Sequence, residues 1–216
     1  MNPGISPTEL QDQLKFRLVE EFDHFDIFKF LSIYYYQKRS WIIYFHYLLS
    51  FAAIIYWIWF GIKGEYSLDT FFFIFGWSMV SMVVIFIPLH EIIQLIAYRM
   101  IGARQVRFYF SFKKIYAFTI AYNFVIGHTE AIGVAILPLV IIISALSIAI
   151  VGWESTRFYF LNTLLFYLGI SSKNFAIINY YWLNRQKILY GYDSLAGKRY
   201  MYEKIQNRSS YEGFSR

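Results

Sequence analysis

The stretch PLHEIIQLIAYRMIGARQ, residues 88–105, places a histidine and a glutamate side by side at the end of a long apolar run. The run itself, residues 70–89, carries no formal charge and is long enough to cross a hydrocarbon core of about 30 Å. A glutamate at such a position costs about 2 to 3 kcal/mol unless it has a partner or reaches the interface. The fold must therefore provide a polar environment for His90 and Glu91 in or beside a membrane helix.

The composition indicates that lipid surrounds much of the chain. Of the 216 residues, 58% are hydrophobic and only 16% are charged, whereas soluble domains have about 25% charged residues. The net charge is +6, and the basic residues fall in the gaps between apolar runs. This distribution favours anionic lipid headgroups, and not nucleic acid, as their partner. Because the chain has no cysteine, disulfides and thiolate metal ligands are excluded.

Four apolar segments predict four transmembrane helices. The second segment runs into the opening motif through Pro88, which is expected to kink it, and the third contains Pro138. The fourth is broken near its middle by the polar sequence Ser171-Ser172-Lys173-Asn174. In order, the segments are residues 41–62, 70–89, 132–152 and 158–183.

The distribution of lysine and arginine predicts the orientation. Along the chain, the five stretches outside the apolar segments carry 5, 1, 5, 1 and 8 basic residues, with Lys173 counted in the last. Cytoplasmic loops are enriched in lysine and arginine, so both termini are expected in the cytoplasm. No cleaved signal peptide is visible at the start of the chain.

The regions outside the spans give weaker patterns. Leu10, Leu14, Leu18 and Phe22 recur every four residues after the capping sequence of residues 6–9, which predicts an amphipathic helix on the membrane surface or packed on a partner or the rest of the chain. We therefore divide the chain into a cytoplasmic or interfacial region 1–40, a transmembrane domain 41–183 and a cytoplasmic tail 184–216 with a strand pair at most.

Residues 107–127, between spans two and three, are rich in aromatic and β-branched residues and contain Lys113 and Lys114. This pattern predicts a β-hairpin or a pair of short strands, with a re-entrant or interfacial loop as the alternative. The expected fold class is an all-α membrane protein of about four transmembrane helices with a small β-hairpin-like insertion between spans two and three.

His90 and Glu91 occupy the first two positions of the HExxH pattern. In that pattern two histidines at i and i+4 bind zinc from one helix face, and the glutamate takes a proton from the metal-bound water. Here Gln94 stands where the second histidine is expected. A glutamine oxygen is a weak zinc ligand, so a site with this substitution is expected to bind zinc poorly unless other groups compensate.

The order of elements resembles a family of bacterial membrane proteins described as zincin peptidases, a family of unknown function that is distantly like the site-2 intramembrane metalloproteases. The resemblance covers roughly residues 40–205, and its most specific parts are PLHEIIQ and GISSKNFAIINYYWL. It implies a location in the bacterial inner or plasma membrane. It also implies an aspartate as third metal ligand in the late polar break, where this chain has Asn174.

Two of the three implied metal ligands are thus neutral amides, Gln94 and Asn174. Loss of the metal would leave Glu91 without a cation, and Lys173 is a candidate for its partner and for the missing positive charge. His128, in the sequence GHTEA before span three, is a further candidate ligand, provided that the β-like segment folds back. His90 is then the metal ligand retained, and Glu91 is the general base if the site is active.

These residues support three readings of function. The first is a zincin-like membrane protein that has lost zinc hydrolysis, a pseudoenzyme that binds a peptide or transmembrane segment as an adaptor, chaperone-like partner or regulator and needs no cofactor. The second is an active membrane zinc metallopeptidase with an atypical ligand set. The third is a non-enzymatic membrane protein in which the histidine–glutamate pair is structural.

Overall fold

The computed structural model describes residues 4–24, 27–63, 66–111 and 116–205. This part of the chain is mostly helical and includes three helices that are long and apolar enough to cross a membrane. These helices are Trp41–Lys63, Leu68–Met100 and His128–Gly152. The prediction of a mostly helical protein with apolar helices of membrane-spanning length is thus confirmed.

The elements are numbered in chain order. The helices are α1 (Phe28–Leu31), α2 (Trp41–Lys63), α3 (Leu68–Ser81), α4 (Ile87–Met100), α5 (His128–Gly152), α6 (Arg157–Ile170) and α7 (Ser172–Leu183). The strands are β1 (Phe16–Asp23), β2 (Val106–Ser111), β3 (Tyr116–Ala121), β4 (Ile126–Gly127), β5 (Leu189–Asp193) and β6 (Lys198–Lys204). Two π-helical turns cover Ser32–Gln37 and Met82–Phe86, and short 3-10 helices cover Glu9–Gln11 and Glu154–Thr156.

A π-helical turn precedes Pro88 inside the second apolar helix. Proline has no backbone N–H, so the carbonyl of Val84 lacks its i+4 donor, and the proline ring crowds the preceding turn. The wider π-helical turn Met82–Phe86 accommodates this change in the backbone. The helix then resumes as α4, and His90 and Glu91 on its first turns are buried.

The fourth predicted span forms two helices, α6 and α7, of 14 and 12 residues. Ser171, the residue between them, is buried. Its hydroxyl and Nε2 of His46 both donate to the carbonyl oxygen of Leu168, at 2.8 and 3.0 Å. The end of α6 is thus hydrogen-bonded inside the protein, which is the condition for a broken helix at membrane depth.

The N-terminal region forms a strand, so the prediction of an amphipathic helix there was wrong. The capping hydrogen bonds do form, from Ser6 N to Glu9 Oε2 at 2.7 Å and from Glu9 N to Ser6 Oγ at 3.2 Å, but they cap only the 3-10 helix Glu9–Gln11. Leu14 and Leu18 of the four-residue repeat are 86% and 47% exposed. The repeat therefore does not mark a buried helix face.

The physical reason is pairing with a distant strand. β1 and β6 pair antiparallel from Phe16 with Lys204 to Asp23 with Lys198, with a bulge near Val19. Ladder hydrogen bonds with a strand about 180 positions away override the local helical pattern. A sequence repeat in β1 alone cannot reveal its partner.

Two antiparallel sheets accompany the helices. The larger sheet has the strand order β1-β6-β5-β4, and it takes strands from all three predicted regions of the chain. The tail forms a strand pair, β5 with β6, as predicted. The all-α class with one hairpin omitted the four-stranded sheet that this pair joins. The smaller sheet pairs β2 with β3 from Val106 with Ala121 to Ser111 with Tyr116. Lys113 and Lys114 lie outside the described residues.

A buried polar network attaches the larger sheet to α4. Arg199 on β6 donates to both carboxylate oxygens of Asp193 at 2.7 Å and to the hydroxyl of Tyr98 at 2.6 Å. His24 Nε2 lies 3.0 Å from Asp193 Oδ1, and the His24 ring stacks on Phe118. Burial favours the uncharged form of Asp193, but the charge of Arg199 and the hydrogen bonds of His24 and Arg199 hold its pKa below its usual range.

The environment of His24 predicts a stability that depends on pH. Burial lowers the pKa of His24, although Asp193 acts in the opposite direction. Below the unfolded value of about 6.5 the unfolded chain therefore binds a proton that the folded chain does not, so stability falls as the pH decreases through 6.5 toward the folded pKa. The contribution of one such histidine reaches about 1.4 kcal/mol per pH unit.

We expect His24→Gln to remove this contribution. Thermal unfolding of the detergent-solubilised protein between pH 7.5 and 5.5 should show a smaller loss of stability on acidification for His24→Gln than for the unmodified chain. Parallel pH profiles for the two proteins would contradict the assignment.

Candidate functional site

His90 and Glu91 line a cavity of about 580 Å³ between α3, α4, α6 and α7. Apolar side chains form most of its wall, among them Met82 from the π-helical turn and Phe166 from α6. The volume lies in the range of about 300 to 1,000 Å³ that is usual for ligand pockets. The polar side chains that line it are those of His90, Glu91, Tyr167, Ser172, Lys173 and Asn174.

Gln94 lines a different cavity. This second cavity has a volume of about 20 Å³, and Tyr98 and Arg199 of the buried network also line it. Of the three positions of the HExxH-like motif, two therefore face the large cavity, and the third faces a small polar one next to it. Lys173 lines both cavities.

Lys173 and Glu91 form a buried ion pair. Lys173 Nζ lies 3.0 Å from Glu91 Oε1, and the two side chains are 14% and 3% exposed. This contact agrees with the pairing expected from the positions of the two residues in the site that the family resemblance implies. The backbone of Glu91 is also held, because the hydroxyl of Thr119 on β3 donates to its carbonyl oxygen at 3.0 Å. The smaller sheet is thus fixed to α4 at the same residue.

The hydrogen bonds of His90 indicate which ring nitrogen carries the proton. Nδ1 of His90 lies 2.8 Å from the hydroxyl of Tyr167, and that hydroxyl donates to the carbonyl oxygen of Pro138 at 3.1 Å. A hydroxyl has one proton to donate, so the arrangement that satisfies both contacts has Nδ1–H of His90 donating to Tyr167. The neutral ring then carries its lone pair on Nε2.

Asn174 is held by the proline-containing part of α5. Its Nδ2 donates to the carbonyl oxygen of Ala135 at 2.9 Å. Pro138 lies inside this helix and leaves the carbonyl of Val134 without its i+4 donor. The carbonyl of the next residue, Ala135, accepts the side-chain bond from Asn174. Because a carbonyl only accepts, the orientation of the amide is fixed, and Oδ1 of Asn174 is the atom that remains. Asn174 also lies within interaction range of the His90 ring.

The residues around His90 do not fit a zinc ion. Structural and catalytic zinc sites have at least three protein ligands, and the described ranges contain no group of three histidine, cysteine, aspartate or glutamate side chains that could hold a metal. The carboxylate of Glu91 is already paired with Lys173. The ammonium group beside His90 and Glu91 also opposes a second cation, so we derive no hydrolytic step through a metal at this site.

The other predicted candidates lie elsewhere or have structural contacts. His128 begins α5, where its ring packs edge-on against Tyr181, and it does not line the cavity of His90. Glu130 accepts a hydrogen bond from Gly127 N at 3.0 Å as a helix cap. The fold-back of the β-like segment thus brings Thr119 of β3, and not His128, to the site.

Sequence reasoning missed Tyr167 and Thr119. Tyr167 is one aromatic residue among many in α6, and nothing in its local sequence distinguishes it from an interfacial tyrosine. Thr119 stands in a strand whose packing on α4 is a tertiary contact. One sequence feature does single out Tyr167. It lies four positions, or about one helical turn, before the polar break at Ser171.

Fold and site together define a mostly helical protein with a buried ion pair in a cavity between apolar helices. No protein-family model, no curated protein and no solved structure matches this chain. The resemblance to the zincin peptidases therefore rests on the sequence patterns alone and stays a hypothesis.

The ion pair makes a specific prediction for stability. Lys173→Met leaves the carboxylate of Glu91 buried without its cation, which should lower the free energy of unfolding by roughly 3 to 5 kcal/mol. The double variant Glu91→Met with Lys173→Met removes both charges and should recover most of that loss. Thermal or denaturant unfolding in detergent measures both changes.

Lys187→Met is the matched control. Lys187 Nζ lies 3.8 Å from Glu203 Oε2 and its side chain is 41% exposed, so its loss should change stability by about 1 kcal/mol or less. Equal effects of Lys173→Met and Lys187→Met, or no recovery in the double variant, would show that the buried pair does not couple the two residues.

Proposed function

We propose that this chain is an integral membrane protein whose large cavity binds an apolar segment of another membrane polypeptide without hydrolysing it. The observation that carries the proposal is the 3.0 Å contact between Lys173 Nζ and Glu91 Oε1. In a zinc peptidase the glutamate takes a proton from a metal-bound water, whereas here Glu91 Oε1 is paired with the ammonium group of Lys173. A cavity of this kind can retain a ligand while lacking the groups that activate water.

The entrance of the cavity supports a partner that arrives from the bilayer. Phe28, Met79 and Ile170 line the cavity and are 79%, 52% and 47% exposed. Large apolar side chains that are exposed together mark contact with lipid or with another apolar surface. We therefore infer that the opening faces the bilayer, so that a transmembrane segment reaches the site by lateral movement.

The strand order supports four membrane crossings. β1 precedes α2, whereas its partner β6 follows α7. Strands of one sheet lie on one side of a membrane, so the chain must cross an even number of times between them. α2, the helix Leu68–Met100 and α5 account for three crossings. We propose that α6 and α7 together make the fourth.

The same argument applies to the pairing of β4 with β5. β4 precedes α5 and pairs with β5, which follows α7, so two crossings separate them. All strands then lie on the side that carries most of the lysine and arginine, which we take to be the cytoplasmic side. The proposal thus places both termini in the cytoplasm, in a bacterial inner or plasma membrane if the zincin-like family resemblance holds.

Because the chain has no cysteine, single introduced cysteines can report the topology. Glu154→Cys lies between α5 and α6, and Ala196→Cys lies between β5 and β6. We expect a membrane-impermeant maleimide to label Glu154→Cys on intact cells and to label Ala196→Cys only after permeabilisation. Labelling of both positions from the same side would contradict the four-crossing arrangement.

Binding can be measured with a labelled apolar peptide. We expect a fluorescent leucine–alanine helix of about 20 residues to bind the protein in phosphatidylcholine vesicles, as detected by energy transfer. Gly169→Trp should weaken binding at least about tenfold, because Gly169 lines the cavity and an added Cβ there has no atom within 4 Å. We expect the bulky indole to occupy the entrance, and thermal unfolding of the variant checks that the fold is retained.

Gly133→Trp is the matched control, since Gly133 is also an exposed helical glycine with no atom within 4 Å of an added Cβ. It does not line the cavity, so binding should be unchanged. Equal binding by both variants would place the peptide elsewhere. The bound peptide should keep its mass, and cleavage that is abolished by Glu91→Gln and by a chelator would favour the active metallopeptidase instead.

A further inference from the structure

The polar end of the large cavity presents acceptor atoms that no described residue satisfies. Glu91 Oε2 and Asn174 Oδ1 are buried and have no hydrogen-bond partner among the described residues. The two residues are 2% and 1% exposed, and both line the cavity. Buried acceptors without a donor are costly, so two such atoms in one cavity indicate which chemical groups complement it.

The remaining atoms of these two side chains are fixed by contacts within the protein. Glu91 Oε1 is held by Lys173, and Asn174 Nδ2 donates to the carbonyl of Ala135. The amide of Asn174 cannot turn over without losing that hydrogen bond. Both atoms left for an occupant are therefore acceptors.

His90 lines the same end of the cavity, and its Nδ1 is already hydrogen-bonded with the hydroxyl of Tyr167. The His90 ring also lies within hydrogen-bonding range of the Asn174 side chain. The acceptors that have no partner in good geometry among the described residues are therefore Glu91 Oε2 and Asn174 Oδ1. The polar end of the cavity thus favours an occupant rich in hydrogen-bond donors.

The charges of the site favour a neutral donor. Glu91 and Lys173 cancel each other, so an occupant that carries a charge would leave a net charge buried in an apolar cavity. A carboxylate would in addition meet two acceptor oxygens. A hydroxyl offers one donor, whereas a primary amide offers two on one nitrogen.

We infer that the membrane segment bound in this cavity carries a primary amide side chain, asparagine or glutamine, that donates to Glu91 Oε2 and Asn174 Oδ1. This inference rests on the proposed function, because it specifies the recognition element of the bound segment. Amide side chains in transmembrane segments are known to hydrogen-bond across helices. Here the amide pairs with preformed acceptors and the flanking apolar residues contact the cavity wall.

Three peptides test the inference on the unmodified protein in phosphatidylcholine vesicles. They share the labelled leucine–alanine sequence and differ at one central position, which is leucine, asparagine or N,N-dimethylasparagine. The dimethyl amide keeps the carbonyl and loses both N–H donors. We expect the asparagine peptide to bind about tenfold more tightly than either of the others, the gain typical of two interhelical hydrogen bonds.

Glu91→Gln changes the donor pattern of the site. The new amide oxygen can accept from Lys173, which leaves an NH₂ group where the acceptor Oε2 was. The dissociation constants of the asparagine and dimethylasparagine peptides should then differ by a factor of about 1, so that the preference is lost. Glu154→Gln is the control, because it makes the same exchange on a side chain that is 89% exposed and distant from the cavity, and the preference should persist.

The outcomes separate the inference from the function on which it rests. Equal binding of the leucine and asparagine peptides, with both blocked by Gly169→Trp, would overturn the amide inference and leave the proposed function standing. Equal binding of the asparagine and dimethylasparagine peptides would also overturn it. Failure of all three peptides to bind would overturn the proposed function itself. The comparison in the unmodified protein decides the question even if Glu91→Gln does not fold.

Discussion

Lys173 and Glu91 are 82 positions apart in the chain, and their side chains meet at 3.0 Å in a site that is almost closed to solvent. A buried glutamate between apolar helices requires a cation, and a buried lysine requires an anion. This mutual requirement fixes α4 against the start of α7. The contact also pairs Glu91, the candidate general base of the motif, with a cation, so the fold and the proposed function both depend on it.

The irregular backbone around this pair has a common explanation. A π-helical turn precedes Pro88, α5 contains Pro138, and the chain between α6 and α7 breaks at Ser171. Each of these features removes or displaces backbone hydrogen bonds of a helix. At the break, the carbonyl of Leu168 accepts from His46 and Ser171. In α5, the carbonyl of Ala135 accepts from Asn174. Polar side chains thus bond to the backbone close to where these helices are irregular.

The sequence predicts much of the helical part of this structure. Long uncharged runs mark the apolar helices, and the polar break marks the start of α7. These features depend on residues that are unusual in an apolar environment, so they are visible without tertiary information. The contact of Lys173 with Glu91 was expected from their positions in the site that the family resemblance implies.

The larger sheet and the polar network escaped prediction for a physical reason. β1 shows a four-residue leucine repeat, but its conformation is set by β6 near the other end of the chain. Asp193 and Arg199 look like surface residues of a polar tail until the sheet packs on Tyr98. Gln94 shares a helix side with His90, yet it lines a separate cavity together with Tyr98 and Arg199. Only the packing of other elements against α4 reveals this separation.

The central claim is that Lys173 takes the place of a catalytic cation beside Glu91. Metal analysis of the purified protein in detergent, with the unmodified chain beside His90→Ala, tests this claim most directly. The account predicts less than stoichiometric zinc in both proteins, with no difference between them. One zinc per chain that is lost in His90→Ala would contradict it.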